Sequence, residues 1–265
     1  MSLHSLVYDS ASKRDRHELY EIYGVLGEGK YGVVLKARSK ATEKRLAAKR
    51  IPLCDGNLSI DAVCEIIALR ALAQTRNIVK LADVTMDNDH VYLILERLDI
   101  DLHHWRPQTT EQTFRVMIQL FGALASMHDM GIMHRDLSPS NIMLDATGIL
   151  HIVDLGMCSF DPFPSDYNIV TQFYRAPEVF HQTGYDARID VWSAACILYE
   201  LTTDQVLLKA TEQNYIALFE DFFAAKETTL KRIGNAYLRS VISQCLKIKR
   251  PTSKEVYLSV VGCTA

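Results

Sequence analysis

The sequence predicts an α+β fold: a strand-rich first part, then a helix-rich second part that contains a loop-rich seam. Three observations carry this expectation. Short runs rich in β-branched and aromatic residues, bounded by glycine and polar turns, recur from Tyr20 to about Glu96. Apolar residues return at helical spacing from about Thr110 onward. Between the first two helical stretches, residues 129–189 are irregular and hold most of the unusual polar residues.

Residues 1–19 are polar and of mixed charge and read as a lead-in, 20–97 as a first lobe and 98–265 as a second, together one domain. Tyr23–Leu26 and Val33–Leu35 predict two strands that flank a glycine-rich turn. Arg45–Ile51 predicts a third, and Ile78–Leu81 and His90–Leu95 two more. One helix interrupts them. Ser59 can cap it, Asp61 suits its first turn, and Val63, Ile66, Ile67, Leu69 and Leu72 give it an apolar side. Later helices are expected over Glu111–His128, Asp190–Leu201, Glu212–Lys226 and Tyr237–Leu246.

Composition narrows the function classes. With 265 residues, 48% hydrophobic and 23% charged, the chain can bury a full core without disulfides or metal. A net charge of −3 offers no footprint for nucleic acid or an anionic membrane. The cysteines Cys54, Cys64, Cys158, Cys196, Cys245 and Cys263 form no C-x-x-C pair and join no histidine at zinc spacing. They read as reduced thiols of an intracellular protein, with Cys196 in the core. Neither a signal peptide nor a membrane span is legible, so a soluble protein of the cytoplasm, the nucleus or both is expected.

Four motifs carry chemistry. Gly27-Glu-Gly-Lys-Tyr-Gly32-Val-Val34 fits G-x-G-x-x-G-x-V, in which glycines let backbone N–H groups approach phosphates without a Cβ in the way. Alone the pattern is weak, because a dinucleotide fingerprint or a plain hairpin turn can share it. A strand follows it here, however, where the dinucleotide fingerprint demands a helix. Lys49 ends Leu46-Ala-Ala-Lys49 on the next strand, placed to reach phosphates, and Glu65 stands mid-helix beside Ile66 and Ile67. A solvated lysine and an exposed glutamate are the bland alternative, yet the apolar neighbours favour a buried ion pair.

The third motif runs His134-Arg-Asp136-Leu-Ser-Pro-Ser-Asn141, then Asp154-Leu-Gly156. Asp136 can accept a hydroxyl proton, while Asn141 and Asp154 offer hard oxygens suited to Mg²⁺. The fourth is Thr171-Gln-Phe-Tyr-Arg-Ala176-Pro177-Glu178, followed by Asp190-Val-Trp192 and Arg250-Pro251.

In this order, from about Tyr20 to Arg250, the motifs resemble the signature set of the protein kinases. The resemblance implies a bilobal kinase fold, with a five-stranded antiparallel sheet and one helix in the first lobe and a mainly helical second lobe. It implies ATP and Mg²⁺ as cofactors, and transfer of a phosphoryl group to a protein Ser/Thr hydroxyl. Lys49 would bind the α/β-phosphates and pair with Glu65. Gly27, Gly29 and Gly32, with Leu26 and Glu28 in the same stretch, would cover the phosphates. Val34 and Ala47 would sandwich adenine with Met143, while Glu96 and Leu98 form the hinge, Leu95 the gatekeeper and Asp101 a ribose neighbour. Asp136 would be the proton acceptor, Thr171 a further catalytic-site residue, and Asn141 and Asp154 the metal ligands. Leu69, Leu81, His134 and Leu155 fit a stacked apolar spine; Glu178 should pair with Arg250, and Asp190 should brace the catalytic loop.

Asp61–Leu69, Asn77–Val84, Asp101-Leu102 and Tyr174–Glu178 narrow the resemblance to the cyclin-dependent kinases, within the CMGC group that includes the MAP kinases. That branch implies a protein substrate, proline-directed specificity, a link to the cell cycle and a cyclin-like activating subunit as a candidate partner. Three departures qualify it. Ser138 stands where a lysine is usual, which implies reduced activity, and it favours the competing reading of a kinase-shaped binding module. Only Arg135 survives of three arginines that hold a phosphothreonine, and Asp166 falls at the phosphoacceptor position, where its carboxylate would face Arg135. The segment between Trp192 and Arg250 is short for the group. A small-molecule kinase fits poorly with the Ala-Pro-Glu segment and its arginine partner.

Overall fold

Period-two alternation builds the first sheet, because successive strand side chains point to opposite faces. The computed structural model describes residues 19–29, 32–169 and 171–262. Strands β1 (Tyr20–Gly29), β2 (Gly32–Ser39), β3 (Arg45–Pro52), β4 (Leu81–Met86) and β5 (His90–Glu96) pair antiparallel in the order β1-β2-β3-β5-β4. On one face Ala37, Leu46, Ala48, Tyr92 and Ile94 form a buried cluster, with Tyr20, Ile22 and Leu35 packed against it. The register sends Val34, Ala47, Lys49 and Leu95 to the opposite face, since Val34 pairs Lys49 and Ala47 pairs Leu95. Together with Asp154–Gly156, the described residues through Asp99 form one of two compact units.

Helix α1 (Ile60–Ala71) starts where the sequence places it: the Ser59 side chain accepts from Ala62 N at 3.2 Å, and Asp61 sits in the first turn. Its buried stripe is Ala62, Glu65, Ile66 and Leu69, an i, i+3, i+4, i+7 face. Val63 and Ile67 are only half-buried, so the apolar side is rotated from the expected one and Glu65 lies on it. The expected strand at Ile78–Leu81 is displaced. Ile78 and Val79 are buried, but the ladder begins at Leu81. Asn77 takes a left-handed φ of 62°, and a register shift between Leu81 and Asp83 breaks the alternation that would have revealed the strand. The proposed lead-in lies outside the described residues apart from Leu19.

The second unit comprises Ile100–Val153 and the described residues from Met157 onward. Short strands β6 (Ile100–Asp101), β7 (Ile142–Leu144) and β8 (Leu150–Ile152) make a small antiparallel sheet. The helices are α2 (Thr110–Asp129), α3 (Pro177–Phe180), α4 (Arg188–Thr203), α5 (Tyr215–Leu230), α6 (Ala236–Cys245) and α7 (Ser253–Gly262). Every residue from Ile189 to Leu201 is buried, Asp190 and Glu200 included, so α4 is enclosed on all sides and its two acids need internal partners. Trp192 on α4 meets Phe219, Phe222 and Phe223 of α5 at ring separations of 5.9, 6.3 and 6.2 Å. Helix α5 begins at Tyr215 rather than Glu212, because Asn214 Oδ1 accepts from Thr211 N and holds a turn there. Helix α7, which the sequence reading passed over, packs along α2.

Candidate active site

In the first unit, β3 delivers Lys49 and α1 delivers Glu65 to one buried cluster. Lys49 Nζ donates to both Glu65 oxygens at 2.7 Å and to Asp154 Oδ1 at 2.6 Å. The Lys49 and Glu65 side chains are 7% and 3% exposed and Asp154 34%. Burial opposes the Lys49 charge, but Glu65 and Asp154 outweigh it and hold the amine above its ordinary value. Asp154 has a left-handed φ of 56°, and its Oδ1 also accepts from Gly156 N at 3.3 Å. A Cβ on Gly156 would come within 3.2 Å of that oxygen, so a larger residue there would press on the Asp154 carboxylate. A cavity of about 590 Å³ beside the cluster is lined by residues that include Gly32, Val33, Arg50, Glu65 and Gly156.

The remaining nucleotide candidates of this unit lie on β1, β2, β3 and β5 or follow β5. Leu26, Gly27, Glu28 and Gly29 end β1 and Gly32 opens β2, with Gly29 opposite Gly32. At Gly32, φ is 144° and a Cβ would stand 2.3 Å from Arg50 O, so only glycine fits. At Gly27 a Cβ would meet nothing within 4 Å. Leu95 and Glu96 end β5 and Leu98 follows; Glu96 N donates to Lys80 O and its side chain accepts from Lys80 N.

In the second unit the proton-acceptor candidate is held on one side. Asp136 Oδ1 accepts from Thr171 N at 2.9 Å and Thr171 Oγ1 at 3.0 Å. Asn141 Nδ2 donates to Asp136 O at 2.8 Å and reaches Oδ2 at 3.4 Å. Asp101 pairs with Met143 across β6 and β7, and its Oδ1 is engaged by His104 N and Nδ1. Ser138 is 6% exposed and makes no side-chain cap to the short 3₁₀ turn Pro139–Asn141.

Asp190 organises the loop that carries Asp136. Its buried carboxylate accepts from His134 N at 2.9 Å, Arg135 N at 3.0 Å and the His128 ring at 2.9 Å. Burial alone would raise the Asp190 pKa; the His128 hydrogen bond, the histidine charges and the His134 N–H prevail and lower it. Aiming both amides at one carboxylate accompanies a left-handed φ of 66° at Arg135, a cost that three hydrogen bonds to the carboxylate offset. Glu178 and Arg250 pair through two bonds of 2.6 and 2.9 Å, with the guanidinium 5.1 Å from the Trp192 ring centre.

The expected contact between Arg135 and the Asp166 carboxylate is absent. Asp166 Oδ1 accepts from Asn168 N at 3.0 Å in a local turn. Arg135 instead donates to Met157 O at 2.7 Å and Tyr185 Oη at 3.2 Å. Neither Tyr185 nor His128 belongs to a motif, so no sequence signal singled them out.

Residues 20–258 match the protein kinase domain family. The chain belongs to the protein kinase family. Among curated proteins this kinase is similar to CTD kinase subunit alpha of Schizosaccharomyces pombe, 34% identical over 73% of the chain and 35% of that protein. Cyclin-dependent kinase B2-1 of Oryza sativa subsp. japonica is 35% identical over 72% of the chain and 64% of its own length. Cyclin-dependent kinase 20 of Danio rerio is 33% identical over 71% and 58% respectively. The matched region thus spans from about a third to under two thirds of the relatives' lengths. The likeness places the kinase with the cyclin-dependent-kinase-like members of the CMGC group, and the antiparallel five-stranded sheet with a mainly helical second unit is the expected fold class. Among the described residues no helix is long and apolar enough to cross a membrane.

Proposed function

We propose that this kinase transfers the γ-phosphoryl of ATP to a protein Ser/Thr hydroxyl, with Asp136 as proton acceptor. The supporting observation is the one-sided tether of Asp136: Thr171 occupies Oδ1 twice, which leaves Oδ2 as the more available acceptor. In the proposed step the substrate O–H proton passes to Asp136 Oδ2 as the oxygen bonds to the γ-phosphorus, and the bond to ADP breaks. Lys49, oriented by Glu65 and kept charged, would bind α/β-phosphate oxygens. Leu26, Gly27, Glu28, Gly29 and Gly32 would lie along the phosphates. Val34, Ala47, Leu95, Glu96, Leu98, Asp101 and Met143 would receive the adenosine.

The donor set fits Mg²⁺: one amide and one carboxylate, hard oxygens of the kind that accompany phosphates rather than a protein cage. Asn141 and Asp154 would hold it. When bound it neutralises charge that develops on the phosphate oxygens.

The division of the chain at residues 97 and 98 belongs to the same proposal. So do proline-directed specificity, which rests on the sequence resemblance alone, and a cyclin-like activating subunit, which the likeness to cyclin-dependent kinases supports. A cytoplasmic or nuclear setting is part of the proposal, with the same likeness as its support. Phosphotransfer from radiolabelled ATP to a basic Ser/Thr peptide tests the reading, alongside Asp136→Asn and an ATP–Mg²⁺ thermal shift. Wild-type transfer that Asp136→Asn abolishes, with the thermal shift retained, is expected. A wild type that binds ATP without transfer would replace the enzyme by a kinase-shaped binding module.

A further inference from the structure

The segment between Asp154 and Glu178 is tied to the catalytic loop by uncharged groups. Arg135 donates from Nε to Met157 O at 2.7 Å, near the start of that segment. It donates from Nη1 to Tyr185 Oη at 3.2 Å, and Tyr185 donates its own O–H to Asp166 O at 2.7 Å, near the middle. A second tyrosine flanks this bridge. Tyr167 Oη accepts from Gly184 N at 3.1 Å, and its ring meets that of Tyr185 edge-on at 5.7 Å. Tyr185 is 6% exposed, so a hydroxyl without partners there would carry a desolvation cost. Among the described residues no carboxylate lies within ion-pairing reach of Arg135, and burial pushes the Tyr185 phenol above its ordinary value, which keeps it a donor.

We propose that Tyr185 is a positioning residue that fixes this segment on Arg135 through a neutral phenol bridge, so that the kinase works without a phosphate there. The proposal rests on the kinase reading above. The hydrogen bond that Asp166 contributes is made by its backbone carbonyl.

Tyr185→Phe keeps the ring contact with Tyr167 and removes the bridge. Its kcat on a Ser/Thr peptide should fall about tenfold, the scale of one hydrogen bond to a charged partner, with the KM for ATP unchanged. Hydrogen–deuterium exchange over residues 157–169 should rise while the Tm stays near that of the wild type. Phosphatase treatment of the wild type, and Asp166→Asn, which keeps the turn acceptor, should leave the rate unaltered. Wild-type kcat and exchange in Tyr185→Phe would overturn the proposal, as would activity lost on dephosphorylation or in Asp166→Asn. The exchange measurement needs no catalysis: faster exchange in Tyr185→Phe supports the bridge even if the wild type transfers no phosphate, and that second result refutes the kinase reading alone.

Discussion

At the scale of residues, the Lys49 cluster is one cation between two carboxylates, and that arrangement ranks its mutants. Replacing Glu65 by Gln leaves Lys49 bonded to Asp154, whereas Lys49→Met leaves Glu65 and Asp154 to face one another beside Gly156. Removing one member of a buried pair costs ~3–5 kcal/mol. Lys49→Met should reach that range in urea unfolding and Glu65→Gln should fall below it; the reverse order would refute the shared-cation picture. Ser138 supplies a second test. Its side chain caps nothing, so Ser138→Lys disturbs no hydrogen bond that the turn depends on. An added cation near the transferred phosphoryl should raise kcat, by up to ~100-fold for a well-placed stabiliser. An unchanged or lower kcat would show that serine is not what limits the rate.

At the scale of elements, α1 must hold Glu65 at a fixed depth, and its first turn is where that can be loosened. Ser59 supplies the side-chain oxygen to Ala62 N. Ser59→Ala should lower stability by ~1 kcal/mol, while Ser59→Asp, which keeps an acceptor, should hold it. Chemical denaturation of the three proteins decides this, and equal midpoints would mean that α1 is held by packing alone. The cap was legible because it is local: a serine, an acid in the first turn and an apolar face all fall within one stretch of chain. The helix's rotation was not, because Ile66 and Ile67 are chemically alike and only the partner on β3 decides which one is buried. Strand β4 was misplaced for a related reason: Asp83 sits at a register shift, so the polar–apolar alternation breaks inside the strand itself.

At the scale of the whole molecule, legibility follows the range of the interaction. Lys49, Asp136, Asn141 and Asp154 announced themselves by fixed spacing within motifs, but their geometry depends on partners far along the chain. The left-handed backbone at Arg135 answers to Asp190, and the Tyr185 bridge replaces the carboxylate contact that Asp166 suggested by position alone. Asp190 therefore offers the most global test. Its folded pKa is lowered, so its contribution to stability is present above the ordinary carboxyl value of 3.8 and is lost as pH falls through the folded value. Lys49 runs the other way: its raised pKa keeps its contribution whole below the ordinary 10.5 and exposes it only above that. Stability from these two groups is thus level across neutral pH, declining in acid through Asp190 and in strong alkali through Lys49. Asp190→Asn, which exchanges a carboxylate with three donors for an amide, should cost about 3 kcal/mol at neutral pH. The gap between wild type and Asp190→Asn in urea unfolding should narrow steadily on acidification below pH 3.8. A gap that stays constant or widens in acid would mean that the buried carboxylate is not what holds the catalytic loop.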